Sequence, residues 1–208
     1  MTATPAGFRH LPGFLSGQVQ RRLVADLREA EARAPFYRPT MPRTGKPFSV
    51  LMTNLGPLGW VSDASGGYRY QPTHPETGAP WPPMPQAVRD VWREVAGTGV
   101  APEACLVNYY APGARMGLHQ DRDEDDLAAP VVSISLGDDA RFRIGGTTRG
   151  GPTASLRLAS GDVAVLAGEA RLAFHGIDRI YGATSDLLAG WIHQGGRLNL
   201  TLRRVTPA

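Results

Sequence analysis

A chain of 208 residues, 42% of them hydrophobic and 20% charged, holds enough apolar material for one domain with a sizeable core, which excludes a disordered chain. Net charge is only +3, with Lys46 the one lysine among 22 basic residues, so arginine does the work of binding anions. Residues 1–80 carry nine basic and five acidic side chains, a surplus compatible with a phosphate-backbone partner and equally with an ordinary solvated surface.

The opening residues lack an uninterrupted apolar stretch of signal-peptide length, and no window approaches a membrane span, so a soluble, cytoplasmic protein is expected. Residues 16–34 place Val19, Leu23, Val24, Leu27, Ala30 and Ala34 at helical spacing behind Ser16 as N-cap, with Pro35 as the stop. From 36 to 85 the chain is dense in proline, glycine and aromatics, including Trp60, Tyr68, Tyr70 and Trp81, and reads as a hairpin-rich lid. Pro85-Gln86 opens a second helix through Val88, Val91, Trp92 and Val95, which Gly97 ends.

From Ala104 onward the period changes to two. Cys105, the single cysteine, cannot form an internal disulfide and is expected in the core. Leu106, Asn108 and Tyr110 share one strand face; Val132, Ile134 and Leu136 lie opposite Ser133 and Ser135; Val163 and Val165 sit in a continuously apolar run. In the last strand leucines 198, 200 and 202 alternate with Arg197, Asn199, Thr201 and Arg203. Many short strands with glycine-rich turns, 25 Gly and 18 Pro in all, point to an α+β, β-rich fold: a double-stranded β-helix (jelly roll) with flanking N-terminal helices and an aromatic lid. The expected division is 1–100 for helices and lid and 101–208 for the jelly-roll core, together one compact domain. No feature marks an obligate oligomer interface, and a monomer is expected.

His119-Gln120-Asp121, followed 56 positions later by His175, has the spacing of a two-histidine, one-carboxylate triad. In extended backbone residues i and i+2 project to one side, so His119 and Asp121 can reach one metal while Gln120 points away. Such a ligand set leaves three octahedral positions of Fe(II) open. The polar face of the last strand allows two readings: a wet surface, or an anion site in which the guanidinium forks of Arg197 and Arg203 take a small dicarboxylate. The acidic run from Asp121 to Asp126 fails as a calcium loop, because its sixth position is Asp126 and its twelfth is Val132. His10, His74 and His193 lack a second ligand at useful spacing and are expected at the surface.

Asn108-Tyr-Tyr-Ala-Pro-Gly113, Leu118-His-Gln-Asp-Arg-Asp-Glu124, Pro130-Val-Val-Ser-Ile-Ser-Leu-Gly137, Gly161-Asp-Val, Glu169, His175-Gly-Ile and Arg197-x-Asn-x-Thr-x-Arg203 occur in this order. Together with Trp60-Val-Ser-Asp and Tyr68-Arg-Tyr, they resemble the bacterial AlkB family of Fe(II)- and 2-oxoglutarate-dependent DNA repair dioxygenases. The resemblance implies that His119, Asp121 and His175 are the catalytic iron ligands. It implies that Arg197, Tyr110 and Asn199 hold the distal carboxylate of 2-oxoglutarate, that Arg203 and Asn108 stand near its chelating end, and that Leu106, Leu118 and Ser133 form the pocket wall.

The resemblance further implies that 2-oxoglutarate decarboxylation with O2 is coupled to hydroxylation of an N-methyl group on N1-methyladenine or N3-methylcytosine, lost as formaldehyde. The partner would be alkylated single- or double-stranded DNA, and RNA as a second substrate; Trp60 would stack on the flipped base, with Tyr68, Asp123, Glu124 and Arg149 touching base or backbone. A rival reading keeps the cofactors and takes a small molecule or protein side chain instead. Leu166, Ala170 and Tyr109 depart from the family pattern, where a tryptophan, a serine and an arginine stand.

Overall fold

The alternation seen in the last strand organises the molecule. The computed structural model describes residues 3–207. Its strands are β1 (Phe8–Leu11), β2 (Leu51–Leu55), β3 (Gly59–Asp63), β4 (Gly67–Gln71), β5 (Ala104–Tyr110), β6 (Met116–His119), β7 (Val131–Gly137), β8 (Asp139–Gly145), β9 (Thr153–Leu158), β10 (Val163–Leu166), β11 (His175–Tyr181) and β12 (Arg197–Arg203). Helix α1 is Gly17–Arg33 and α2 is Gln86–Val95. The strands form a six-stranded sheet in the order β1-β10-β7-β12-β5-β2, a four-stranded sheet β6-β11-β8-β9, and the separate hairpin β3-β4. All named pairings are antiparallel, as in a jelly roll.

The six-stranded sheet has two different faces. On one, Leu198, Leu200 and Leu202 join Val132, Ile134, Leu136, Cys105 and Val107 in a cluster with Leu23, Leu27 and Ala30 of α1 and Val88, Val91, Trp92 and Val95 of α2. Helix α1 presents those residues on one stripe because they recur at intervals of three and four. Its N-cap is Ser16, whose hydroxyl accepts from the Val19 N–H at 3.4 Å, and Pro35 follows its last turn. The other face looks toward the four-stranded sheet, where Leu106, Tyr110, Val131 and Leu166 pack with Phe142, Ile144 and Ile177. The Arg-Asn-Thr-Arg face of β12 therefore points inward: Arg197, Thr201 and Arg203 are buried. The wet-surface reading of that face is overturned, because the helices already cover the leucine side.

Both edge strands of the large sheet, β1 and β2, come from the first hundred residues. Within the segment read as a lid, β3 and β4 form the hairpin, while β2 is paired along β5 in the large sheet. His74 is a correction. Its ring is buried, 5.2 Å from both Tyr37 and Trp81, with Nε2 within 2.8 Å of the Pro35 carbonyl. Its Nδ1 accepts from the Glu76 and Thr77 N–H groups, so it closes a turn that solvent would otherwise enter. His10 is half-buried and pairs with Asp162 at 2.8 Å; His193 is exposed as expected.

Candidate active site

Strands β6 and β11 bring the two histidines together. His119, the last residue of β6, lies in register with His175, the first of β11, and their ring centroids are 4.6 Å apart. The strands can approach this closely because position 176 is glycine: a Cβ there would stand 2.6 Å from the Met116 carbonyl oxygen and 2.8 Å from that of Gly117. Asp121 follows two residues beyond His119, and one ligand atom from each of the three side chains lies within 4.8 Å of the others. Its carboxylate oxygens are 3.6 Å from His119 Nε2 and 3.7 Å from His175 Nε2.

The protonation states suit a cation. His119 Nδ1 is 2.9 Å from the Gly117 carbonyl and His175 Nδ1 is 3.0 Å from that of Ala173. A carbonyl only accepts, so each Nδ1 is the donor and each Nε2 is left to face the cluster. Burial and the neighbouring His119 push the His175 imidazolium down to about 4, leaving a neutral ring at pH 7. Burial works to raise the Asp121 carboxyl, but Arg203 and the two histidines overrule it and hold it well below the usual carboxylate range. Two imidazole Nε2 atoms and one carboxylate converging within 4.8 Å of one another form a donor set that fits a divalent metal.

Next to this cluster is a pocket of about 450 Å³ between the sheets. Its floor is set by cross-strand rows of β12 and β5: Thr201 opposite Leu106, Asn199 opposite Asn108, Arg197 opposite Tyr110. Leu106, Asn108, Tyr110, Ser133, Asn199 and Arg203 all line it. Leu118 and Arg197 do not. Leu118 is half-buried on β6 beside His119, and Arg197 is fully buried at the Tyr110 end. Arg197 donates to Ser135 Oγ and to the Asp138 and Leu158 carbonyls, and its Nε has no partner. It has no ion pair among the described residues, and burial draws its guanidinium down to about 10, still charged at neutral pH. Asn108 Oδ1 and Arg203 Nη1 are likewise buried without partners. A buried cation facing only neutral dipoles is costly unless a ligand supplies the anion. A dicarboxylate would supply that negative charge.

The lid residues stand over the same pocket: Trp60, Tyr68, Asp123, Glu124 and Arg149 are all on its wall. Trp60 stacks on Tyr68 with centroids 5.5 Å apart, meets Phe48 edge-on, and donates from Nε1 to Asp123 at 2.8 Å. Tyr68 is 51% exposed, and Arg149 lies 4.9 Å above the Phe174 ring. Glu124 is placed differently from the other lid-side residues. Its side chain is 1% exposed, and its carboxylate is taken up by Arg171 at 2.9 Å, Arg203 at 3.3 Å and the Tyr70 hydroxyl.

Sequence reasoning missed Arg171, Tyr70 and Phe142. Arg171 follows a single 3₁₀ turn, Gly168–Ala170, in a stretch with no periodicity, and only its three-dimensional partners single it out. Of the departures from the family pattern, Leu166 lines the pocket, Ala170 is fully buried, and Tyr109 faces the helices, donating to the Gly195 carbonyl at 2.9 Å.

Known proteins agree with this geometry. The profile of the 2OG-Fe(II) oxygenase superfamily matches residues 7–203. The alpha-ketoglutarate-dependent dioxygenase AlkB homolog of Caulobacter vibrioides is 56% identical over 210 residues, covering 100% of this chain and 91% of its own. The alpha-ketoglutarate-dependent dioxygenase AlkB of Escherichia coli K12 is 42% identical over 88% of this chain and 83% of its own. The solved structure of OsALKBH1 superposes with a TM-score of 0.78 at 31% identity, covering 98% of this chain and 99% of that one. With a profile matching residues 7–203, relatives aligned over most or all of the chain, and a His-Asp-His cluster beside the pocket between the sheets, this protein belongs to the AlkB family of Fe(II)- and 2-oxoglutarate-dependent dioxygenases.

Proposed function

We propose that the protein is an oxidative demethylase of alkylated nucleic-acid bases, acting on N1-methyladenine and N3-methylcytosine in DNA and, as a second substrate, in RNA. The observation that carries the reading is the shared pocket: the His119-Asp121-His175 cluster, the polar row Asn108, Tyr110, Asn199 and Arg203, and the aromatic lid all line one cavity, with Arg197 buried behind its Tyr110 end. His119, Asp121 and His175 would hold Fe(II). Arg197, Tyr110 and Asn199 would take the distal carboxylate of 2-oxoglutarate, with Arg203 and Asn108 near its other end and Leu106, Leu118 and Ser133 around it. When bound, these cofactors supply with O2 the oxidation of an unactivated N-methyl carbon that no side chain can perform.

The chain's own residues do the rest. Guanidinium and amide groups fix the co-substrate's orientation through charge-assisted hydrogen bonds. Leu106, Val131, Phe142, Leu158 and Leu166 keep water from the reacting carbon. A base inside a duplex cannot reach this depth, so it enters flipped out or from a single strand. Trp60 offers it a stacking face, and the Asp123 carboxylate attracts the positive charge that N1- or N3-methylation puts on the ring. Tyr68 and Arg149 stand where base edge and backbone would lie, and Glu124 acts from beneath the wall.

The test is mass spectrometry of a single-stranded DNA oligomer bearing one N3-methylcytosine, incubated with protein, Fe(II), ascorbate, 2-oxoglutarate and air. Loss of one methylene mass only in the complete mixture is expected. An unchanged oligomer with succinate still formed would transfer the chemistry to a small molecule or protein side chain, and neither product would overturn the metal site.

A further inference from the structure

The lid grips the segment that begins with Asp121. Trp60 on β3 and Tyr70 on β4 are partners in register across the hairpin. Trp60 donates to Asp123 and Tyr70 donates to Glu124, so one rung of the lid holds two consecutive carboxylates. From the other side Arg171 donates to the Asp121 carbonyl at 2.6 Å, to the Ala129 carbonyl at 2.7 Å and to Glu124 Oε2 at 2.9 Å. Arg203 closes the ring, 3.0 Å from Asp121 Oδ2 and 3.3 Å from Glu124 Oε1.

This set of two arginines and two carboxylates is buried, and Arg171 does not line the pocket. A buried ion network is poor evidence for added stability, since apolar residues of equal volume do as well; what it specifies is geometry. Here it fixes both ends of Asp121, the side chain through Arg203 and the backbone through Arg171. The hairpin above it forms its own two-stranded sheet, fastened to the body where the Trp60 N–H donates to Asn54 Oδ1 and the Ser62 hydroxyl donates to the Thr40 carbonyl, so the rung is held over the two carboxylates.

We propose that Arg171 is a positioning residue for the Asp121 ligand, and that the Trp60–Tyr70 rung couples a base held on the lid to that ligand through Glu124. A base stacked on Trp60 and a metal held at Asp121 then favour each other, and by linkage each tightens the other by the same factor. The inference rests on the proposed function, with the His119, Asp121 and His175 cluster as the metal site and Trp60 as the stacking face for the base.

The test uses Co(II), whose visible absorption reports its ligand field without turnover. Co(II) is titrated into the wild-type protein with and without a saturating single-stranded oligomer containing one N3-methylcytosine. Tighter binding by about tenfold with the oligomer is expected, within the usual range of coupling between sites. In Tyr70→Phe that ratio falls to about one. In Arg171→Met the Co(II) affinity drops by about 10–100-fold, as when a partner of a metal ligand is removed, and Arg171→Lys restores only part because its ammonium lacks the planar fork. Circular dichroism checks that each variant is folded; should Arg171→Met fail to fold, Arg171→Lys and Tyr70→Phe decide. A wild-type ratio of one, a ratio that survives in Tyr70→Phe, or wild-type Co(II) affinity in folded Arg171 variants overturns the inference while leaving the metal site intact. Wild-type protein that takes up no Co(II) overturns both.

Discussion

Arg197 and Arg171 are both buried arginines, and their surroundings predict different consequences of removal. Arg197 has no carboxylate partner, so Arg197→Met deletes an uncompensated charge while taking a donor from Ser135 Oγ and two carbonyls; the two effects offset, and urea denaturation should find the variant within about 1 kcal/mol of the wild type. Under the proposed function the same change also removes the anchor of the co-substrate's distal carboxylate. A hydrogen bond to a charged group contributes about 1.5–3 kcal/mol, so the KM for 2-oxoglutarate should rise by about 10–100-fold in a succinate assay. An unchanged KM would remove Arg197 from the co-substrate site. Cys105 makes a third case. Burial pushes its thiol up to about 12, and it sits in the core against the helices, so iodoacetamide should label it only after unfolding. Labelling of the native protein would mean that the core beneath β5 opens.

At the level of elements, the sequence is legible where a strand or helix is long enough to repeat its pattern. Helices α1 and α2 and strands β5, β7 and β12 show their period in the residues themselves, β10 shows as a continuous apolar run, and the triad spacing marks the site. Strands β1 and β6 have four residues each, too few for alternation to stand out, and β2 lies among the prolines and aromatics of the lid segment. Their placement comes from pairing with distant strands, which no local signal records. Arg171 and Tyr70 escape for the same reason, since their meaning lies in partners about fifty residues away. The approach of β6 to β11 depends on Gly176, so Gly176→Ala should force the strands apart and separate His119 from His175. Weakened Co(II) binding together with a lowered Tm is expected. Wild-type Co(II) affinity in this variant would show that the histidines tolerate a wider spacing than their register implies.

Across the whole molecule the site is divided between the two sheets. His119 and His175 belong to the four-stranded sheet, while Arg197, Asn199 and Arg203 belong to the six-stranded one, joined to the cluster by the Arg203–Asp121 pair. A metal alone engages the small sheet and the segment that follows β6. A 2-oxoglutarate that touches both the metal and Arg197 ties the sheets together, so each ligand should bind better once the other is in place. Ligands that bind only the native state raise its stability by about 2.7 kcal/mol at a hundredfold excess over Kd. For a chain of this size that is a Tm rise of about 5–10 °C, at about 2–4 °C per kcal/mol. Thermal unfolding with Mn(II), with 2-oxoglutarate, and with both should therefore give a joint shift larger than the sum of the separate ones. The excess should vanish in Arg197→Met, which leaves the metal ligands in place but cuts the tie to the large sheet. Simply additive shifts would mean that the two ligands occupy independent sites and that the pocket between the sheets is not where they meet.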